Sequence, residues 1–477
     1  MGFVRNLVSA FVTDGISLMA LLGCSARMYA NRCALVCDDT RLSYSELYGK
    51  ARLLAALLYK EYKIGKGSRI AMFCRNHEWS SLVLLASSRL GADVMLINTD
   101  AGSEQLKQIL SKGTTDVLFY DEEYEDKVCG VVRNATLVSM ATVIACSEEC
   151  ACPVRLPYVV RGGRITVFTG GSSGNYKAVT RRSGFMQFLP PLLALIRNIH
   201  VNRYESVLVM LPFYHGFGLA TFAVSLFLGK KICLMRHFDA ERAVQIVGDE
   251  AIEALPVVPT MLSRMMKVAG ADNCMKSIKC IICGGDVLEN VLLRKVQKLI
   301  GDVLFNLYGT TETGFFMLAS PEDLEHSSEV TLGKPIAGVR CCMRDIDDGG
   351  IGTLCVKPQF VGNWLNTGDR VWRDANGLYY YRGRADNMVV CGGENVYPEN
   401  LQRVLNMHPD IVDSLVYAVD DVSFGKVLCV KVELRNGASL TTEDIRNWLR
   451  SRVSRAEMPH EILFASVSLL STGKRLR

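Results

Sequence analysis

Apolar residues along this chain recur with two periods, and the order in which the periods alternate predicts the fold. Ser43-Tyr44-Ser45-Glu46 reads as a capping box opening a helix, with Leu47, Leu54, Leu57 and Leu58 spaced along one buried face. A strand-like run at 69–74 follows, then a helix over about 78–90 stopped by Gly91, a strand at 94–98, a helix capped by Ser103 and stopped by Gly113, and a strand at 116–120. Strands alternating with helices in this way pair in parallel, because each helix returns the chain across the sheet. Residues 121–164 show no clear period and read as connecting elements before a short apolar strand at 165–168. A second α/β stretch covers 205–332. After Gly333 short strands dominate, with turn signals at Asp347-Asp348-Gly349-Gly350 and Asp374-Ala375-Asn376-Gly377. The tail predicts a helix at 399–406, strands at 414–419 and 427–434, a helix capped near Thr441 or Thr442, and a last strand near 462–465.

Size and charge narrow this picture. At 477 residues and 49% hydrophobic content, the chain exceeds one core and implies about two or three folding units. Its 54 basic and 49 acidic residues leave a net charge of +5 without a long basic run, so no nucleic-acid partner is indicated. The 17 cysteines fall largely inside apolar segments such as Lys279-Cys280-Ile281-Ile282-Cys283, which suits buried thiols in a reducing cytoplasm. Cys280 and Cys283 have redox or zinc spacing but no second ligand pair nearby, and core packing is the expectation. At the N-terminus Phe3, Leu7 and Phe11 recur at helical spacing and 16–22 is apolar, but Asp14 and Arg27 interrupt any membrane-spanning length. A helix covering the core is expected there, with a membrane-surface helix as the alternative.

Candidate chemistry begins directly after the strand at 165–168. In Thr169-Gly170-Gly171-Ser172-Ser173-Gly174-Asn175-Tyr176-Lys177, glycines let backbone N–H groups converge on an anion, serines add donors and the lysine supplies charge. A position beyond the carboxyl end of a strand is where open α/β sheets take ligands, so the loop reads as a phosphate site. It is not a Walker A loop, since Asn175 and Tyr176 separate the last glycine from the lysine and Ala178 follows it.

Further clusters follow in order: Pro212-Phe213-Tyr214-His215-Gly216, Tyr308-Gly309-Thr310-Thr311-Glu312, Thr367-Gly368-Asp369, Gly383-Arg384-Ala385-Asp386, Gly392-Gly393-Glu394-Asn395-Val396-Tyr397-Pro398 and Thr472-Gly473-Lys474. With the glycine loop they resemble the adenylate-forming superfamily of acyl-CoA synthetases, luciferases and peptide-synthetase adenylation domains. Pro321-Glu322-Asp323-Leu324 and the stretch 419–425 resemble its bacterial fatty acyl-CoA synthetase branch. The resemblance implies a large AMP-binding adenylation domain over 1–383, built of α/β subdomains plus a β-rich one, and a small mobile α+β lid over 384–477; the fold class is α/β. It implies ATP, Mg²⁺ and coenzyme A as reactants with a hydrophobic carboxylic acid, expected to be a fatty acid.

The resemblance also assigns roles. Lys474 would bridge the carboxylate and the α-phosphate, Thr311 would donate to that phosphate, and Glu312 would hold Mg²⁺. Thr169, Gly170, Gly171, Ser172, Ser173, Gly174 and Lys177 would hold the β- and γ-phosphates. Asp369, assisted by Arg384, would accept the ribose hydroxyls. Tyr308, with Gly309 and Thr310 beside it, would stack on adenine, and Gly284, Gly285 and Asp286 would line the purine. His215 would line the acyl carboxylate site, and Asp386 would be the hinge about which the lid turns for thioester formation.

Several positions depart from the family pattern: Gly170, Tyr176 and Ala178 in the glycine loop, a short connector at 362–367, and Asn400 and Gln402 where glutamates are usual. Losing the loop proline frees its backbone and weakens ATP binding without removing donors or lysine. Two alternatives stay open: an adenylating enzyme that loads an acyl carrier protein, and a non-catalytic nucleotide- or acyl-binding relative.

Overall fold

The computed structural model describes residues 2–101, 103–111, 113–132, 135–149, 156–169, 177–181, 191–310, 313–327, 329–357, 363–387, 389–391, 394–421, 425–450, 452–453 and 457–467. The chain forms two compact units, one of residues 1–257 with 267–282 and one of 258–266 with 283–477.

In the first unit the helix Tyr44–Tyr62 opens with the predicted capping box: Ser43 Oγ accepts from Glu46 N, and the Glu46 carboxylate accepts from Ser43 N. Leu47, Leu54, Leu57 and Leu58 are all buried. The strands Thr136–Ser139, Val117–Tyr120, Arg69–Phe73, Asp93–Leu96, Ile165–Thr169 and Lys177–Arg181 form one sheet in that order. All its pairings are parallel except the last, where Thr169 stands opposite Lys177 in an antiparallel return. Lys177, expected in the loop, is therefore the first residue of a strand. A second set of strands runs Ala254–Val257, Ser206–Val209, Lys231–Leu234, Cys33–Cys37 and Thr40–Ser43. The helix Glu78–Leu90, closed by Gly91 at φ +78°, is buried on almost every side, because Leu82, Val83, Leu84 and Leu85 belong to one continuous core with residues of both sheets.

One expectation changes here. Residues 121–164 hold more than connectors: the strand Thr136–Ser139 joins the parallel sheet beside Val117–Tyr120, and the helix Met140–Glu149 follows it. The N-terminal helices Gly2–Asp14 and Leu18–Met28 do pack on the core, with Leu7 and Phe11 against Ala10, Ala20 and Cys24. Asp14, however, is buried, and it accepts from Tyr48 Oη at 2.8 Å and lies 3.3 Å from Arg89 Nε. No helix among the described residues is long and apolar enough to cross a membrane. Cys233, Cys280 and Cys283 are buried free thiols; burial pushes Cys280 up to about 12, so the Cys-x-x-Cys pair is core.

In the second unit Leu304–Thr310 pairs antiparallel with Gly314–Ala319. The β-rich region is a four-stranded antiparallel sheet in the order Arg340–Arg344, Gly352–Lys357, Leu365–Arg373, Tyr379–Arg384. Its predicted turns carry Gly350 at φ +75° and Gly377 at φ +82°. Towards the C-terminus, the helices Pro398–Asn406 and Thr442–Arg450 pack with the sheet Ile411–Asp421, Gly425–Leu434, Glu461–Phe464 around Leu401, Val430, Ile445 and Leu449.

Candidate active site

Two clusters of polar side chains form on the predicted motif positions, one in each unit. In the second unit Asp369 and Arg384 are opposite residues of neighbouring strands, and antiparallel partners face the same way. Arg384 Nη1 donates to Asp369 Oδ1 at 3.2 Å and to Thr367 O at 3.2 Å. The other carboxylate oxygen of Asp369 accepts from Tyr308 Oη, which comes from a different sheet. Thr367 fixes the turn: its hydroxyl donates to Leu354 O at 2.9 Å and accepts from Asp369 N at 3.1 Å. Gly368 is at φ +75°, a backbone conformation that favours glycine, and a Cβ there would lie 2.9 Å from Arg384 Nη2, the tip of a side chain that would have to shift. Beyond Asp369 the register slips: Arg370 faces Gly383 but Val371 faces Tyr381, leaving Arg382 as an extra residue in its strand.

This cluster is largely enclosed. Burial first, then the Asp369 charge and the hydrogen bond to it, pushes the Tyr308 phenol well above its ordinary value, so it stays a donor. The Tyr308 ring packs edge-on against Phe316 at 5.2 Å. Tyr381, which the motifs did not single out, is raised by burial, then by Asp369 and Glu399, with Asp286 adding a smaller push. Gly284 sits so close to the Tyr308 strand that a Cβ would meet Leu307 O at 2.6 Å, and Gly309 so close to its partner strand that one would meet Gly314 O at 2.3 Å. Gly285 is at φ +85°, while Asp286 is exposed and accepts from Val287 N at 2.8 Å. Thr310 Oγ1 accepts from Thr313 N at 3.3 Å.

In the first unit His215 is the N-cap position of the helix Gly216–Phe227, half-buried, with its ring against Tyr214 at 4.8 Å. Burial pushes the Tyr214 phenol up to about 12 despite a hydrogen bond with Thr99. The sequence motifs missed what holds this loop. Asn76 Nδ2 donates to Leu211 O at 2.9 Å and Asn76 Oδ1 accepts from Phe213 N at 3.0 Å. His77, next in the chain, caps the helix Glu78–Leu90 and meets Asp121 Oδ1 at 2.8 Å. Burial favours the neutral Asp121 carboxyl, but the His77 contact, the Arg75 N–H and the Arg236 charge together hold it below its ordinary value.

Of the remaining motif residues, Thr169 ends one strand and Lys177 begins the next, with their side chains outside the described residues. Asp386 lies in the short 3₁₀ turn Ala385–Asn387, its side chain likewise outside, and neighbouring Asn387 donates to Glu399 Oε1 at 2.7 Å. Gly170, Gly171, Ser172, Ser173, Gly174, Thr311, Glu312 and Lys474 lie outside the described residues.

A buried Asp369 held by Arg384 and Tyr308 on an antiparallel strand pair, in a chain with a parallel α/β portion and a small α+β tail, fits the adenylate-forming class. The chain belongs to the AMP-binding enzymes: that family's model matches residues 24–363, and the model of the AMP-binding enzyme C-terminal domain matches 401–474. It is similar to 2-succinylbenzoate–CoA ligases, 26% identical over 84% of both chains for that of Geobacillus sp. (strain WCH70) and 24% identical over 91% of both for that of Bacillus subtilis (strain 168). Among solved structures, o-succinylbenzoate CoA synthetase of Bacillus subtilis in complex with the acyl-adenylate OSB-AMP superposes with a TM-score of 0.83 at 22% identity, covering 96% of each chain. An anthranilate CoA ligase in complex with anthranoyl-AMP superposes with a TM-score of 0.84 at 18% identity, covering 96% of this chain and 95% of that one. The expected leaning towards fatty acyl-CoA synthetases finds no support among these relatives, which are named for aromatic acids.

Proposed function

We propose that this protein is an ATP-dependent acid–thiol ligase. It joins a carboxylic acid to AMP with release of pyrophosphate, and then passes the acyl group to the thiol of coenzyme A. The observation that carries this reading is the Tyr308–Asp369–Arg384 cluster: a buried carboxylate, oriented on both oxygens, on the motif position for a ribose diol in a chain of the AMP-binding family. Family membership supports the division into an adenylation domain over 1–383 and a lid over 384–477, with Asp386 as the hinge.

In the first half-reaction two anions must meet, and preorganised positive charge and donors lower that barrier most. Lys474 supplies the cation between the carboxylate and the α-phosphate, Thr311 donates to that phosphate, and the glycine loop with Lys177 holds the departing pyrophosphate. ATP enters as its Mg²⁺ complex, towards which Glu312 is the assigned carboxylate. His215, with its ring braced on Tyr214, faces the acid. In the second half-reaction the lid turns about Asp386, Lys474 leaves and the segment 391–395 takes its place beside the thiol.

What supports an aromatic acid over a fatty acid as substrate is the naming of the relatives, and the same names support coenzyme A rather than a carrier protein as acceptor. The deciding experiment incubates the protein with MgATP and a panel containing 2-succinylbenzoate, anthranilate, benzoate and straight-chain acids, with and without coenzyme A. Pyrophosphate release that depends on an aromatic acid, followed by thioester when coenzyme A is added, is the expected result. Turnover confined to straight-chain acids would restore the fatty-acid reading. ATP binding without pyrophosphate release from any acid would leave only a binding protein.

A further inference from the structure

We propose that Asn76 is a positioning residue for the acid half of the site, acting through the backbone that presents His215; the inference rests on the reading of His215 given above. Past the strand Ser206–Val209, the chain turns through Leu211, Pro212 and Phe213, of which Leu211 and Phe213 are buried. Pro212 has no N–H, so this stretch cannot continue a sheet ladder, yet its other buried polar groups need partners.

Asn76, only 2% exposed, supplies them with one carboxamide. It donates to Leu211 O at 2.9 Å and accepts from Phe213 N at 3.0 Å, as a neighbouring strand's peptide would. The far side of the loop is pinned independently. Gly218 lies so close that a Cβ there would be 2.4 Å from both Leu211 O and Pro212 O, and His215 N donates to Pro212 O at 3.0 Å. Between these restraints the loop that leads to His215 has little freedom. Asn76 itself is fixed from behind, since it stands between the strand Arg69–Phe73 and His77, whose ring caps a buried helix and meets Asp121. Asparagine is the one side chain of this length that offers a donor and an acceptor side by side without charge.

The tests use the full chain and the acid giving the fastest pyrophosphate release in the panel above. Asn76→Ala raises the KM for that acid about tenfold and leaves the KM for ATP within about twofold, because the nucleotide cluster does not depend on this loop. In a His215→Ala background the same substitution changes the acid KM less than about twofold, since the residue through which it acts is gone. Asn76→Asp gives a second, reversible reading. An ionised carboxylate would face Leu211 O with no proton to donate, whereas the protonated acid restores both bonds, so the variant-to-wild-type activity ratio climbs as pH falls. Equal losses for acid and ATP, additivity with His215→Ala, or a flat ratio across pH would overturn the inference while leaving the ligase reading intact. Should no acid release pyrophosphate from the wild-type protein, the ligase reading falls. The positioning inference is then decided by the His215 imidazole NMR resonance: a shift in Asn76→Ala upholds it, and an unchanged resonance ends it.

Discussion

The two clusters solve the same problem, a side chain held in one place, with opposite means. Around Asp369 the fixing is ionic and made by side chains: a guanidinium on one carboxylate oxygen, a phenol on the other. Around His215 it is neutral and made on the main chain, by one carboxamide and one glycine-permitted close approach. The difference follows from what each must do. A carboxylate that is 6% exposed needs donors merely to remain charged, so its anchors and its chemistry are the same groups. An imidazole that only has to be presented can be held through its backbone.

The contrast can be broken most sharply at the nucleotide side. Lys474→Ala should lower pyrophosphate release by about 10²–10³-fold while the ATP dissociation constant from calorimetry stays within about twofold, since the role proposed for the lysine is on developing charge. Asp369→Ala should raise the KM for ATP roughly 100-fold with little effect on the acid KM, because it removes the diol acceptor and strands two donors. Tyr308→Phe keeps the ring against Phe316 and loses only the phenol bond; about a tenfold rise in the KM for ATP is expected from steady-state kinetics.

The smallest effect belongs to the acid side and concerns pH. Asp121 has a folded pKa below its unfolded value of about 4, so its contribution is present above that value and is lost as pH falls through the lowered folded value. Urea denaturation between pH 7 and pH 3 should show acid-sensitive stability that disappears in Asp121→Asn. An identical pH slope in the variant would mean that the His77–Asp121 contact contributes nothing.

Legibility in the sequence followed the range of each interaction. The helix Tyr44–Tyr62 and the stop at Gly91 were readable because their caps lie within a few residues of what they cap. Thr136–Ser139 was not, since four residues with polar ends carry no period and only pairing beside Val117–Tyr120 makes them a strand. On the nucleotide side Asp369, Arg384 and Tyr308 each sit in a short motif of their own, so resemblance found them before their contacts were known. Asn76 has no such motif: its partners are 135 and 137 residues away, and a single asparagine after a strand resembles any turn residue. Tyr381 escaped for the same reason, being one of three consecutive tyrosines whose facing depends on the slip at Arg382.

That slip constrains how this hairpin can change length. Asp369 and Arg384 stay opposite each other because the extra residue, Arg382, is absorbed between the pairs Arg370–Gly383 and Val371–Tyr381. Removing Arg382 alone would leave a continuous ladder in which Arg384 still stands opposite Asp369, without the bend and extra twist that a bulge gives its strand. Of the single-residue deletions in this strand, the one at Arg382 should therefore disturb the Asp369–Arg384 pairing least.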